Sequence, residues 1–399
     1  MLKNRVISIL VVCTFSAQVL LADNFTKLLN IALEQSPYIS SSYLEKKQKD
    51  YEASISTRYE NPDLDINYAK FKPETGESDT GYSFSISQPI QFWSIYKDKK
   101  LLSKKILEGS TNLYLMNKAN FIKELSFLYT QYEFNEKIKK LTNESLEIAQ
   151  EIYAISNERY SVGSISRTDL LQTQVSLMEI QVENEDIKNN SLNSYYGLLK
   201  LAGINYEIDL ELNHKFEVIS NKGLINNPEL LAMRTQQDIN LASLNIQSNT
   251  FDSFSLTASY DKEPDQTVNR IGISIPLPIF NTKREETKIA FLEAKKNKLS
   301  IENRSFQIKQ ELIRLQKNRT SLKKQIKNNE KVLSLKNQLL EMYMEKYKIS
   351  QATILELQRI KDSVIQTKKE LIQTQLTLKQ NAISQNYLQG NLNEKIIIN

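Results

Sequence analysis

Apolar and polar residues alternate strictly in four short stretches of the chain. The first sets Leu64, Ile66 and Tyr68 against Asp65, Asn67 and Ala69, and the second sets Tyr82, Phe84 and Ile86 against Ser83, Ser85 and Ser87. In the third, Phe254, Leu256, Ala258 and Tyr260 alternate with Ser255, Thr257 and Ser259. The fourth sets Ile271, Ile273, Ile275 and Leu277 against Gly272, Ser274 and Pro276. A period of two predicts strands with one apolar face. Taken singly, each is the strand of a sheet with one buried face. Four of them, each about nine residues long, have the length that crosses a bilayer at barrel tilt. They therefore predict a barrel wall, apolar toward lipid and small and polar toward a watery lumen.

Between these stretches the period changes to three and four. Ile308, Leu312, Leu315, Leu322, Ile326, Leu333, Leu340, Tyr343 and Tyr347 follow the mixed spacing of a coiled-coil face. The predicted helices 96–160 and 282–347 are each about 65 residues, or roughly 100 Å, long. Returning helices are predicted over 168–202 and 355–388, at half that length. The segments 25–57 and 228–248 are expected to stack end to end with them, which would give a wall of nearly uniform height.

The plan occurs twice, offset by about 190 residues, which marks an internal duplication. One copy is expected over 23–210 and the other over 211–399. Each opens with an X-Pro helix start, Ser36-Pro37 in one and Asn227-Pro228 in the other. Strand, polar loop, strand, long helix, break and returning helix then follow in the same order. The break Tyr160-Ser161-Val162-Gly163-Ser164-Ile165-Ser166-Arg167-Thr168-Asp169-Leu170 aligns with Tyr347-Lys348-Ile349-Ser350-Gln351-Ala352-Thr353-Ile354-Leu355-Glu356-Leu357. The same register brings Gly203 opposite Gly390.

Backbone groups left unpaired in lipid are costly, so a spanning sheet must close on itself. Four strands are too few for one chain, because membrane barrels of this kind have at least eight. The chain is therefore expected to be an obligate oligomer of itself.

Composition agrees with long helices: 399 residues contain only nine Gly and eight Pro. Mean hydropathy is −0.45, too polar for a bundle of membrane-spanning helices. The +5 net charge is nearly balanced between 52 basic and 47 acidic residues, with no concentrated basic face for nucleic acid. Lys3 and Arg5 followed by the apolar run from Val6 to Val12 predict an export signal over 1–22, cut after Ala22. Cys13, the only cysteine, lies inside it, so the mature chain is expected to lack disulfides and thiol chemistry. His214, the single histidine, is expected in a surface connector without metal or catalytic partners. No catalytic residue, metal site or cofactor is predicted. A secreted or periplasmic coiled-coil structural or adaptor protein is the alternative; it accounts for the helices but not for four alternating strands placed twice at equivalent positions.

Over residues 25–390 the chain resembles the TolC family of outer-membrane efflux proteins. The carriers are the paired Tyr-x-x-Gly/Ser breaks with Asp169-Leu170 and Glu356-Leu357, Asn61-Pro62 before the first strand, and Ser87-Gln88-Pro89 closing the second. The resemblance implies a mainly α fold with a small β part. Three protomers would form a β-barrel in the outer membrane and an α-helical barrel of long antiparallel helices in the periplasm. It also implies passive conduction in a tripartite efflux or type I secretion system, with a periplasmic adaptor and an inner-membrane transporter as partners. The breaks would be the periplasmic tips. Val162, Gly163, Ser164, Ile349, Ser350 and Gln351 would dock the adaptor, and Arg167, Asp169, Tyr347, Glu356 and Arg359 would line the aperture. Two positions depart from the family pattern. Arg359 stands where some members have an acid, and Ala352 replaces an arginine that links neighbouring hairpins, a link Arg167 is expected to take over.

Overall fold

The computed structural model describes residues 24–72, 74–219 and 226–392. The expected export segment, 1–22, lies outside them. The elements run α1 (Asn24–Gln35), α2 (Pro37–Ile55), β1 (Asp63–Phe71), β2 (Asp79–Gln91), α3 (Trp93–Ser161), α4 (Arg167–Ala202), α5 (Pro228–Gln247), β3 (Ser253–Lys262), β4 (Thr267–Ser274), α6 (Arg284–Lys348) and α7 (Ile354–Leu388). Helix α3 has 69 residues and α6 has 65, each about 100 Å long. Neither contains proline, so nothing removes a ladder hydrogen bond along their length. Among the described residues no helix is long and apolar enough to cross a membrane.

The four strands form one antiparallel sheet in the order β1-β2-β3-β4. Its register aligns the alternation across the whole sheet. Leu64, Ile86, Ala258 and Ile271 make one row, and Asp65, Ser85, Ser259 and Arg270 the next. Cross-strand partners share a face, so one face is mainly apolar, with Ile66, Tyr68, Phe84, Tyr260 and Ile273 all exposed on it and polar residues such as Lys70 and Asn269 toward its ends. The other face is polar and cross-linked: Asn67 Nδ2 donates to Ser83 Oγ at 3.3 Å, the Ser87 and Thr257 hydroxyls lie 3.2 Å apart, and Arg270 pairs with Asp261. Strand β4 stops at Ser274, short of the predicted Ile275 and Leu277. Pro276 and Pro278 have no N–H for a ladder, which ends the strand there.

Below the sheet the helices form a curved wall. In its lower half the neighbours run α4-α3-α7-α6, and in its upper half α2-α3-α5-α6. The half-length helices meet end to end through matching joints. Gly203 takes φ 75° as the cap of α4, and a Cβ there would stand 2.8 Å from the Gln35 carbonyl oxygen. Gly390, at φ 71° just past α7, comes still closer to the Asn226 carbonyl. Ser36 Oγ donates to the Leu201 carbonyl at 3.2 Å, and Asn227 Nδ2 donates to that of Leu388 at 2.8 Å. Each X-Pro start thus caps the end of the helix below it.

The main core lies at the level of these joints. Phe25, Leu28, Phe121, Leu125, Tyr129, Leu198, Leu230, Ile308 and Ile383 are buried together there. The segment expected to be one strut over 25–57 is broken at Ser36, whose extended backbone (ψ 123°) precedes Pro37. Only α2 fills the upper wall, while α1 folds into the core. His214, expected in a surface connector, is half-buried in one whose alternate residues are exposed. Leu210, Leu212 and Phe216 of its connector pack on the core, and the His214 ring lies 4.8 Å from Phe25 and 4.4 Å from Phe216.

Candidate functional site: the paired hairpin tips

At the end of the wall farthest from the sheet, two turns join α3 to α4 and α6 to α7. They are built alike. Ser164 N donates to the Arg159 carbonyl and Gln351 N to that of Lys346, both at 2.8 Å, closing the long helices with wide backbone loops. The intervening residue is left-handed in each, with Gly163 at φ 76° and Ser350 at φ 61°. Both returning helices open with a capping box, in which an N-cap hydroxyl and an acid three residues on satisfy each other's backbone N–H. In α4 the pair is Ser166 and Asp169; in α7 it is Thr353 and Glu356. Glu356 accepts from Thr353 N at 2.9 Å and from Thr353 Oγ1 at 2.8 Å. The backbone N–H first, and then the hydroxyl, hold its carboxyl below the ordinary glutamate value.

The turns are tied together by Tyr347, which is 1% exposed between α3, α6 and α7. Its hydroxyl lies 2.7 Å from Ser156 Oγ, which itself donates to the Ile152 carbonyl, so Tyr347 is the donor. Arg159 Nη1 donates to the Tyr347 carbonyl at 2.9 Å, and the guanidinium sits 4.4 Å from the tyrosine ring centre. Ile152, Ala352, Ile354 and Leu357 complete a small core around this link. An open cleft of about 770 Å³ lies between the turns, lined by both capping boxes.

Of the expected aperture residues, Asp169, Tyr347 and Glu356 come together at this cleft. Arg167 and Arg359 do not line it, and both are exposed. Of the expected docking residues, Gly163, Ser164, Ser350 and Gln351 line the cleft, while Val162 and Ile349 project from the turns into solvent. Sequence reasoning missed Arg159. It is the basic residue of the last turn of α3, and that position near Tyr160 was the available signal.

Residues 28–204 match the outer membrane efflux protein family. No curated protein matches the chain by sequence. Among solved structures, CusC, described for folding and transmembrane channel formation, is similar at TM-score 0.81 and 16% identity, covering 92% of each chain. The CmeC outer membrane channel of Campylobacter jejuni matches at TM-score 0.78 and 18% identity, over 93% of this chain and 86% of its own. The outer membrane protein VceC of Vibrio cholerae matches at TM-score 0.80 and 14% identity, over 92% and 96%. At such identities these likenesses speak for the fold, which is shared along nearly the whole chain. The first repeat thus matches the outer membrane efflux protein family, and the fold of nearly the whole chain, a four-stranded sheet above a wall of long helices, is that of the solved outer membrane channels it resembles.

Proposed function

We propose that three copies of this chain close one pore, which conducts solutes passively from a periplasmic adaptor and an inner-membrane pump to the exterior. The observation that carries this is the sheet. It presents an exposed apolar face, a polar opposite face, and two outer strands, β1 and β4, each with one unpaired edge. Such edges are intolerable in lipid unless they pair with another strand. With an even number of antiparallel strands per chain, β4 of one copy meets β1 of the next antiparallel, so copies add without a break in pattern. Twelve strands from three chains lie within the range of known membrane barrels. Native mass measurement in detergent is expected to give three copies, and planar bilayers containing them are expected to conduct. A stable single chain that needs no detergent would overturn the reading.

In this reading the paired tips are the periplasmic end. The turns around Val162-Gly163-Ser164 and Ile349-Ser350-Gln351 dock the adaptor, and Asp169 and Glu356, with the exposed Arg167 and Arg359, form the narrow aperture, which the buried Tyr347 braces from behind. A Cβ at Gly163 meets no atom within 4 Å, so a bulky residue there alters the outer surface of the turn without crowding its neighbours. Gly163→Trp is expected to reduce adaptor cross-linking and solute resistance while leaving assembly intact. Unchanged cross-linking and resistance would remove this turn from the docking surface.

A further inference from the structure

On the margin of the main core, the segment 205–219 that follows α4 borders an open cleft of about 600 Å³ against α3 and α4. Tyr195 of α4 pins the segment there. Its hydroxyl accepts from Ile208 N at 2.8 Å and donates to the Ile208 carbonyl at 2.9 Å. Three tyrosine rings line the cleft. Tyr132 of α3 and Tyr195 have ring centres 5.4 Å apart, inclined by 51°, and Tyr196 stands edge-on to Tyr195 at 5.3 Å and 72°. Rings inclined in this way do not stack, which leaves ring face uncovered, and Tyr196 is 52% exposed. The Tyr132 hydroxyl makes no hydrogen bond among the described residues. Burial above all, and then Glu136, Tyr195 and Asp209, push it up to about 12, so this wall stays neutral at physiological pH.

The charge around these rings is unbalanced. The two lysines of the cleft are already engaged, Lys139 by Glu136 at 3.1 Å and Lys188 by Glu185 at 2.7 Å. Its other two carboxylates are not. Glu207 accepts from the neutral Tyr196 hydroxyl at 3.1 Å, and neither Glu207 nor Asp209 is in an ion pair among the described residues. We propose that this cleft binds a small aromatic cation. The face of a tyrosine ring attracts positive charge, and two uncompensated carboxylates beside the rings act in the same sense. An anion would meet those carboxylates. A metal ion fits poorly, because hard divalent ions take about six or more oxygen ligands and the described residues hold no group of three His, Cys, Asp or Glu that could share one. The volume lies within the roughly 300–1,000 Å³ of small-molecule sites. One chain supplies every one of these residues, so the inference stands apart from the proposed pore.

The test titrates the full chain in detergent with ethidium, an aromatic cation, and reads fluorescence anisotropy against empty micelles. Saturable binding at one site per chain is expected, and it weakens as salt screens the exposed carboxylates. Glu207→Gln combined with Asp209→Asn keeps both side-chain shapes and is expected to weaken binding about tenfold. Tyr196→Leu keeps bulk but removes a ring face, and is expected to weaken it about fivefold. All three positions are exposed, so the variants are expected to retain the parent's circular dichroism. Anilinonaphthalene sulfonate, an aromatic anion, needs no variant and is expected to show no saturable binding beyond that of micelles. Absence of saturable ethidium binding, equal affinity in the folded variants, or equal binding of the anion would each overturn the assignment.

Discussion

Ser350 occupies the backbone position that Gly163 fills in the other turn, at φ 61° against 76°. A side chain in the left-handed region brings Cβ close to the following carbonyl and costs about 1 kcal/mol or more. Because open space surrounds a Cβ at Gly163, Gly163→Ala isolates that conformational cost. It is expected to lower stability by about 1 kcal/mol. Ser350→Gly removes a strained side chain, and any gain is limited by the added freedom of the unfolded chain. Unfolding in denaturant, with unchanged slope, measures both.

Glu356 makes a second prediction at this scale. Its folded carboxyl titrates below the unfolded value of 4.5, because the Thr353 N–H and hydroxyl favour the charged form. Its capping contribution is fully present above pH 4.5 and is lost as pH falls through the folded midpoint. Thr353→Ala keeps the backbone donor and removes the hydroxyl. Carboxyl NMR is expected to show the Glu356 midpoint rising partway back toward 4.5.

At the scale of elements, the contact between the two halves of the chain is polar as well as apolar. Glu133 of α3 is buried and receives Lys379 of α7 at 2.7 Å, and Glu144 receives Lys368 at 3.0 Å eleven residues further down. Lys379 also donates to the His214 carbonyl at 3.1 Å, so the same side chain anchors the connector. Removing one partner of a buried pair leaves the other charge unpaired, at a cost of about 3–5 kcal/mol. Glu133→Ala is expected near the lower end, since Lys379 is partly solvated and keeps the carbonyl. Lys379→Met with Glu133→Leu is expected to recover much of that loss. Thermal unfolding of the two variants checks both statements. The alternation of the strands and the length of the helices were legible in sequence because both are local periods. The ion pairs were not, because they join residues 246 and 224 apart.

For the whole molecule, Tyr347 is the side chain that ties the α6–α7 hairpin to α3, so in the proposed pore it would restrain any movement of that hairpin that widens the aperture. Tyr347→Phe removes one donor and leaves the ring and the Arg159 stacking in place. It is expected to raise single-channel conductance in planar bilayers with the trimer intact, because one neutral hydrogen bond contributes only about 1 kcal/mol. Arg159→Ala removes both the carbonyl contact and the stacked cation, and its expected effect is larger. Equal conductance in parent and both variants would show that this link does not restrain the aperture. Replacing Ile271 by Asp places a charge on the lipid face and is expected to block membrane insertion while leaving the helical wall unaffected. Membrane fractionation and circular dichroism measure these two outcomes separately.

The sequence by itself determined the element types, their order and the repeated plan. These follow from periods of two and 3.6 and from proline and glycine at the joints. It also located both turns, with Asp169 and Glu356 beside them as expected aperture residues. The tertiary structure decided which side chains those turns bring together. It placed Asp169 and Glu356 in local caps, put Tyr347 inside a small core, drew His214 into an aromatic cluster, and joined the two hairpins of one chain through Arg159. Each of these depends on how three helices cross at one level. Spacing along a chain reports which residues share a face of one helix; only packing reports which faces meet.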